Sequence, residues 1–383
     1  METLKQIYKY FILFFKILIF AEFTFKKPIK KDYLLFDDNL EFFFQKYIPK
    51  KNYSILFSRH KKYNFLLILN LLFKFRLSSL NYFNQYIKYV QPKILITFSD
   101  NYSIFYRLKV PTVTKKIFVQ AANRTATSDD IFFKLKDLKK TKKYNNVDEM
   151  LVFNNKIGEK YKSFITGNTR IIGSIKSNAF KIKSKKKNFD LFYISTWRDH
   201  SPKYKFTKSI SWQKLLNAEK KFLYNLKNYV IENKKHLTIY GKYNSLKEKK
   251  YFSEIFQDIN WKYLKNNRMK SYFYCDQARL IISNASTLGY EALGRGSKVV
   301  FFNYNDFDST TISKNFCWPY KLKKQGSFWT NDTSKKSCEK LINFVYKLNR
   351  QKWKKTYNKE FKDFKFIIYD KNNKTLQKVL KPH

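Results

Sequence analysis

The sequence predicts an α/β chain of two domains, each a parallel sheet with helices on both faces. Three observations carry this. At 383 residues the chain is too long for one ordinary core. Short apolar runs alternate with helical stretches in two successive series. Between the series, Lys176–Asn188 is polar and carries six Lys, which marks a linker.

The first series comprises Tyr33–Asp37, Tyr53–Ser58, Lys93–Phe98, Lys116–Gln120, Met150–Phe153 and Arg170–Gly173. These runs are continuously apolar without clean alternation, the pattern of strands covered on both faces. Helices are expected over Lys62–Phe75 and Leu80–Val90. The second series comprises Asp190–Ser195, Leu237–Tyr240, Leu280–Ser283 and Lys298–Phe302, with helices over Trp212–Glu232, Leu246–Phe256, Thr287–Leu293 and Lys335–Leu348. The expected division is 1–30 as an apolar and basic N-terminal helix, 31–175 as the first domain, 176–189 as linker, 190–350 as the second domain and 351–383 as a basic helical tail.

A hydrophobic fraction of 44% excludes a largely disordered chain. The formal charge of +49 comes mostly from Lys and favours anionic partners. The Lys residues are spread along the whole chain and Arg is scarce, which argues against a dedicated nucleic-acid binder. Cys275, Cys317 and Cys338 are far apart and form no Cys/His cluster, so neither a zinc site nor a disulfide framework is expected, and a cytoplasmic location suits them. The apolar run Ile7–Phe25 is interrupted by Lys9, Lys16 and Glu22. It reads first as an interfacial or packing helix, ahead of a spanning anchor or a signal peptide. Lys26, Lys27, Lys30 and Lys31 follow it and suit an anionic lipid surface.

The strongest local signal is IISNASTLGYEALGRGSKVVFF, a strand, polar turn, helix and second strand in one unit. Ser286 or Thr287 can cap the helix, whose first backbone N–H groups can hold a phosphate. Gly289 would allow a ligand close approach, and Glu291, about one turn in, can accept hydrogen bonds from ribose hydroxyls. Such a loop lies at a strand's carboxyl end, where ligands gather in open parallel sheets. Capping and dipole compensation alone would also explain these residues.

STLGYEALGRGSKVVFF resembles the donor-site segment of GT-B glycosyltransferases. More narrowly, the chain resembles surface-carbohydrate biosynthesis proteins of bacterial polysaccharide clusters, through ITFSDNYSIFYRL (Ile96–Leu108), FVQAANR (Phe118–Arg124), IIGSIKSNAF (Ile171–Phe180) and YISTWR (Tyr193–Arg198). The resemblance implies two Rossmann-like domains facing across a cleft. It implies a nucleotide-sugar donor against Ser286, Thr287, Leu288, Gly289 and Glu291, with its diphosphate at Ser195, Thr196 and Arg198. Lys242, after LTIYG, is a second phosphate candidate. At Gln120–Arg124 the chain has QAANR where the group has a Gln-Asn-Gly-type turn.

Asp100 and Asn101 follow the strand KILITF; a carboxylate there, facing the cleft, would serve as general base toward an acceptor hydroxyl. Gln120 is placed with them, Arg124 and Ser174 are expected to contact substrate, and His60 is a candidate base by likeness to phosphopolyol transferases. His200 reads as a loop residue and His236, before a strand, as structural. Asp306 and Asp308 spell a DxD, but outside the context in which such a pair holds a metal, so no metal is expected. No GxSxG, Walker, HExxH or GxGxxG motif is present.

The expectation is a metal-independent glycosyltransferase of surface polysaccharide (lipopolysaccharide O-antigen or capsule) assembly. It would have no cofactor beyond its nucleotide-sugar substrate, a glycan or lipid-linked acceptor, no nucleic-acid partner and a peripheral place on the inner face of the membrane. The rival readings are a nucleotide-sugar epimerase or phosphopolyol transferase on the same fold, and a non-enzymatic basic protein that binds membrane or nucleic acid.

Overall fold

The apolar runs pair as two parallel sheets in a computed structural model, which describes residues 12, 15, 19, 21–39, 41–59, 62–124, 132, 142–182, 186–198, 212–267, 269–304, 316–362 and 365–381. In chain order the strands are β1 (Glu22–Thr24), β2 (Tyr33–Phe36), β3 (Tyr53–Leu56), β4 (Lys62–Asn64), β5 (Ile94–Thr97), β6 (Lys115–Val119), β7 (Asn146–Val152) and β8 (Thr166–Ile171). They continue with β9 (Phe189–Ile194), β10 (Leu237–Tyr240), β11 (Trp261–Leu264), β12 (Ala278–Ser283), β13 (Val299–Phe302) and β14 (Trp329–Thr330). The helices are α1 (Glu41–Phe44), α2 (Phe65–Phe73), α3 (Ser79–Val90), α4 (Asn155–Lys162), α5 (Ile175–Asn178) and α6 (Trp212–Glu232). They continue with α7 (Leu246–Phe256), α8 (Ser271–Gln277), α9 (Thr287–Gly294), α10 (Lys335–Lys347), α11 (Arg350–Glu360) and α12 (Lys374–Val379).

Among the described residues, the first sheet runs β3-β2-β5-β6-β7-β8 and the second β11-β10-β9-β12-β13-β14, each with every pair parallel. All positions of β2, β5, β10 and β13 are buried because helices cover both faces, which explains the continuous apolar runs. Chain order reverses between β2 and β5 in the first sheet and between β9 and β12 in the second. Such a reversal leaves a crevice beyond the strands' carboxyl ends.

Lys62 begins the short strand β4, paired with β1, rather than the expected helix. Asn64 stops that strand and starts α2, its side chain accepting from the Leu67 N–H at 3.2 Å. β11 and β14 lie at the two edges of the second sheet and were not expected from the sequence. Of the apolar N-terminal run, Ile12, Phe15 and Ile19 are helical and exposed, 7–11, 13, 14, 16–18 and 20 lie outside the described residues, and its end forms β1 rather than the expected helix. No helix among the described residues is long and apolar enough to cross a membrane.

The last residues pack into both lobes. Phe366 and Ile367 belong to the core of the second sheet, whereas Leu376, Val379 and Leu380 lie against the β2 and β5 face of the first. Each fully buried side chain of this kind contributes about 1.5–3 kcal/mol. Between them the chain is tied down by Asn154 Nδ2 to the Phe366 carbonyl (2.9 Å), by the Asp370 N–H to Asn178 Oδ1 (2.9 Å) and by Asn373 Nδ2 to the Ile175 carbonyl (2.8 Å). Gly173, at φ +65°, passes so close that a Cβ would meet the Ile368 carbonyl oxygen at 2.1 Å.

Candidate active site

The carboxyl ends of both sheets open onto one cleft of about 530 Å³. Its first wall is built from loops after β2, β5, β6 and β8 and presents Asn39, Ser99, Asn101, Arg124 and Lys176. Arg59, beyond β3, adds a second guanidinium. The opposite wall is built from loops after β9, β10, β11 and β12 and presents Ser195, Lys242, Asn266, Ser286, Thr287, Leu288 and Glu291. Parallel strands that all end at the same edge place loops far apart in sequence side by side.

On the second wall, Ser286 is the cap residue of α9 by backbone position, but its side chain makes no cap hydrogen bond. The Thr287 Oγ1 accepts from the Asn123 N–H at 3.0 Å, a bond from one wall to the other. Glu291 is 3% exposed and lines the cleft. Its two oxygens take the Ser174 hydroxyl and the Tyr272 hydroxyl, the latter at 2.9 Å. Ser174 thus acts through Glu291 and does not itself line the cleft. Gly289 corrects an expectation. It is buried, and a Cβ there would lie 2.3 Å from Ser283 Oγ and 2.7 Å from Ser283 Cβ, so the glycine serves helix-to-strand packing rather than ligand approach.

Ser195 and Lys242 face the cleft from neighbouring strand ends. Both are organised by a residue the sequence reading passed over, Glu248 of α7. Its carboxylate is fully buried and accepts from Ser195 Oγ (2.6 Å), the Lys242 N–H (2.7 Å), the Tyr243 N–H (2.8 Å) and Tyr263 OH (3.1 Å). Burial, and next the positive charge of Arg198, push the Lys242 ammonium down to about 8. Arg198 is exposed and stands beside the cleft rather than in its lining. Thr196 turns inward, its hydroxyl 2.6 Å from Tyr304 OH. Tyr304 in turn donates to the buried Glu219, whose carboxyl is held above its ordinary range by burial.

On the first wall two expectations are corrected. Asp100 is 0% exposed and does not face the cleft. It pairs with Arg124 through both oxygens, and the Tyr161 hydroxyl donates to it as well. Three donors consume the carboxylate, and the residue that reaches the cleft is Arg124. Gln120 is also buried: its Oε1 accepts from the Phe153 N–H and its Nε2 donates to the Ala122 carbonyl, both at 2.8 Å, so it shapes the turn. Asn101 is exposed and lines the cleft.

Arg59 is held by a buried carboxylate too, through one oxygen and with its side chain half exposed. Its Nε lies 2.8 Å from Oδ2 of the buried Asp37, and it was missed because the run YLLFD reads as plain strand to its end. Lys176 stands over the Phe98 ring at 5.7 Å. His236 lies before β10, at the opposite edge from the cleft. His60, His200, Asp306 and Asp308 lie outside the described residues. Among the described residues no group of three His, Cys, Asp or Glu is arranged to hold a metal. The three cysteines are free and buried.

A family model described as "putative O-antigen biosynthesis protein" matches residues 117–383. The chain is similar in structure to the wall teichoic acid polymerase TagF, with a TM-score of 0.54, 12% identity and coverage of 92% of this chain and 89% of that one. The H548A form of TagF gives a TM-score of 0.53 at 13% identity, covering 93% and 90%. A Listeria monocytogenes protein described as "putative UDP-N-acetylglucosamine 2-epimerase" gives 0.53 at 10% identity, covering 90% and 95%. A search of curated proteins finds no match. At these identities the structural likeness concerns the fold: two facing parallel sheets of the GT-B type, as expected.

Proposed function

This chain belongs to a family of O-antigen biosynthesis proteins, and we propose that it is a GT-B glycosyltransferase that moves a sugar from a nucleotide-activated donor to a glycan or lipid-linked acceptor in surface polysaccharide assembly. The observation that carries the reading is the cleft itself. One of its walls holds the α9 start, Glu291 and Lys242, and the other holds Arg59, Arg124 and Lys176. A diphosphate between them would meet the Lys242 ammonium, with Arg198 close by, and these charges offset the negative charge that develops on a leaving nucleoside diphosphate. The α9 start would add unpaired backbone N–H groups. Glu291, freed from Ser174 or Tyr272, has an oxygen for a ribose hydroxyl. The acceptor would enter along the first wall, where Asn101 is exposed and the Lys176 ammonium favours an anionic molecule. Catalysis then rests on positioning and on fixed charge, in a site that needs no group beyond the substrates.

The same reading includes a peripheral membrane location. Phe25, Phe73 and Phe75 are exposed, the last two at 78% and 85%, and they alternate with Lys26, Lys27, Lys74 and Arg76. Apolar rings among basic side chains suit the headgroup region of an anionic bilayer. Sedimentation with vesicles tests this: binding should require anionic lipid and weaken in Phe73→Ser/Phe75→Ser. Equal binding to neutral vesicles would contradict it.

The function is tested by incubating the protein with nucleotide sugars and resolving the products. Nucleoside diphosphate released only when a glycan or lipid-linked acceptor is present supports transfer. An altered free nucleotide sugar without acceptor consumption would replace transfer with epimerisation on the same fold.

A further inference from the structure

We propose that Glu248 is a positioning residue of the donor-facing wall, tying the loop after β9 to the loop after β10 through Ser195 so that Lys242 meets a nucleoside diphosphate from a rigid support. The proposal rests on the cleft being a donor site.

The local sequence shows how this arises. Ser245 caps α7, its hydroxyl accepting from the Glu248 N–H at 3.1 Å. Ser245 and Glu248 therefore have the spacing of a capping box, in which the glutamate ordinarily turns back to the cap residue's own N–H. Here the carboxylate reaches further upstream, to the Lys242 and Tyr243 amides, because Asn244 at φ 57° folds the loop over the helix start. Its Oε1 takes Ser195 Oγ and the Lys242 N–H; its Oε2 takes the Tyr243 N–H and Tyr263 OH. Gly241 makes room for this: a Cβ there would lie 2.0 Å from Tyr263 OH. Ser195 passes the constraint on, since its Oγ also accepts from the Trp197 N–H at 3.1 Å.

The residue type matters. Four donors converge on one fully buried group, and only a carboxylate is all acceptor; a glutamine would turn its NH2 toward two of them. Placing a negative charge under a wall that meets phosphate costs affinity unless the charge does something else there. Glu248 does two things. It fixes both loops, and its charge favours the ammonium form of Lys242, which burial disfavours.

The test uses the full chain and a panel of ADP, GDP, CDP, UDP and dTDP. For whichever the wild type binds, Glu248→Gln should raise the Kd about tenfold or more while circular dichroism and a cooperative melt stay native. The pH above which binding is lost should also move down, because Lys242 loses a neighbouring negative charge. Combined with Lys242→Met, the second substitution should add little to the first. Ser195→Ala, which removes one donor and leaves the carboxylate, should weaken binding in the same direction but less, and stands in if the glutamine variant does not fold. An unchanged Kd and pH profile in a folded Glu248→Gln or Ser195→Ala protein overturns the proposal and leaves the cleft reading intact. A wild type that binds none of the five removes both.

Discussion

Arg124 reaches the cleft because Asp100 holds it from beneath, and Arg59 is held by Asp37. Of the two pairs only Asp100–Arg124 is buried on both sides, and removal of one partner of such a pair costs about 3–5 kcal/mol. Asp100→Ala should therefore cost stability first, with any loss of activity following from a misplaced Arg124. Gly289 allows a sharper test of packing. Gly289→Ala should destabilise by about 1–3 kcal/mol through the clash with Ser283, and Ser283→Gly in the same protein should restore most of it. Thermal melts of the two variants read this directly. At this scale the sequence revealed residue types at strand ends but not which way each side chain turns. Glu291 and Lys242 face the cleft as expected. Asp100 and Gln120 have similar neighbours in sequence but turn inward, because Arg124, Tyr161 and the Phe153 amide need acceptors. Those partners lie 24 to 61 residues away, beyond any local pattern.

Elements were legible where burial is complete. Strands covered on both faces leave unbroken apolar runs, and α6 and α7 begin and end where their patterns do. The edge strands β11 and β14 escaped notice because an edge buries less: β11 has no buried residue, and β14 is two residues long. Pairing across the lobes was also hidden. Arg295, just past α9, donates to both oxygens of Asp276 and to the Ser177 and Phe180 carbonyls, clamping the second sheet's α9 to α5 and the turn that follows it. That pair is buried on both sides. Arg295→Met should cost about 3–5 kcal/mol by leaving Asp276 unpaired, and Arg295→Met/Asp276→Leu should recover much of it. Denaturant unfolding of the single and double variants gives the comparison.

Across the whole molecule, the C-terminal stretch is a second tie between lobes rather than a free tail. Truncation before Lys374 strips Leu376, Val379 and Leu380 from the first core and should leave that lobe unfolding at lower denaturant than the second, as two transitions. Charge acts at this scale too. The ammonium of Lys242 is pushed down to about 8, so between that pH and the ordinary lysine range the unfolded chain holds a proton that the folded chain has released. Its burial therefore costs stability below about pH 8, and the cost is relieved as pH rises. Lys242→Met should raise the melting temperature at neutral pH while weakening anion binding, the trade expected of a functional group held against its own solvation.

Everything proposed for the cleft depends on its binding a nucleoside diphosphate between Lys242 and the α9 start. Calorimetric titration of the wild type, Glu291→Ala and Lys242→Met with nucleoside diphosphates, repeated across pH, tests it most directly. Binding by the wild type should be saturable and fall above about pH 8, lose that pH dependence in Lys242→Met and disappear in Glu291→Ala. Binding that is equally tight in all three proteins and unaffected by pH through that range would contradict it.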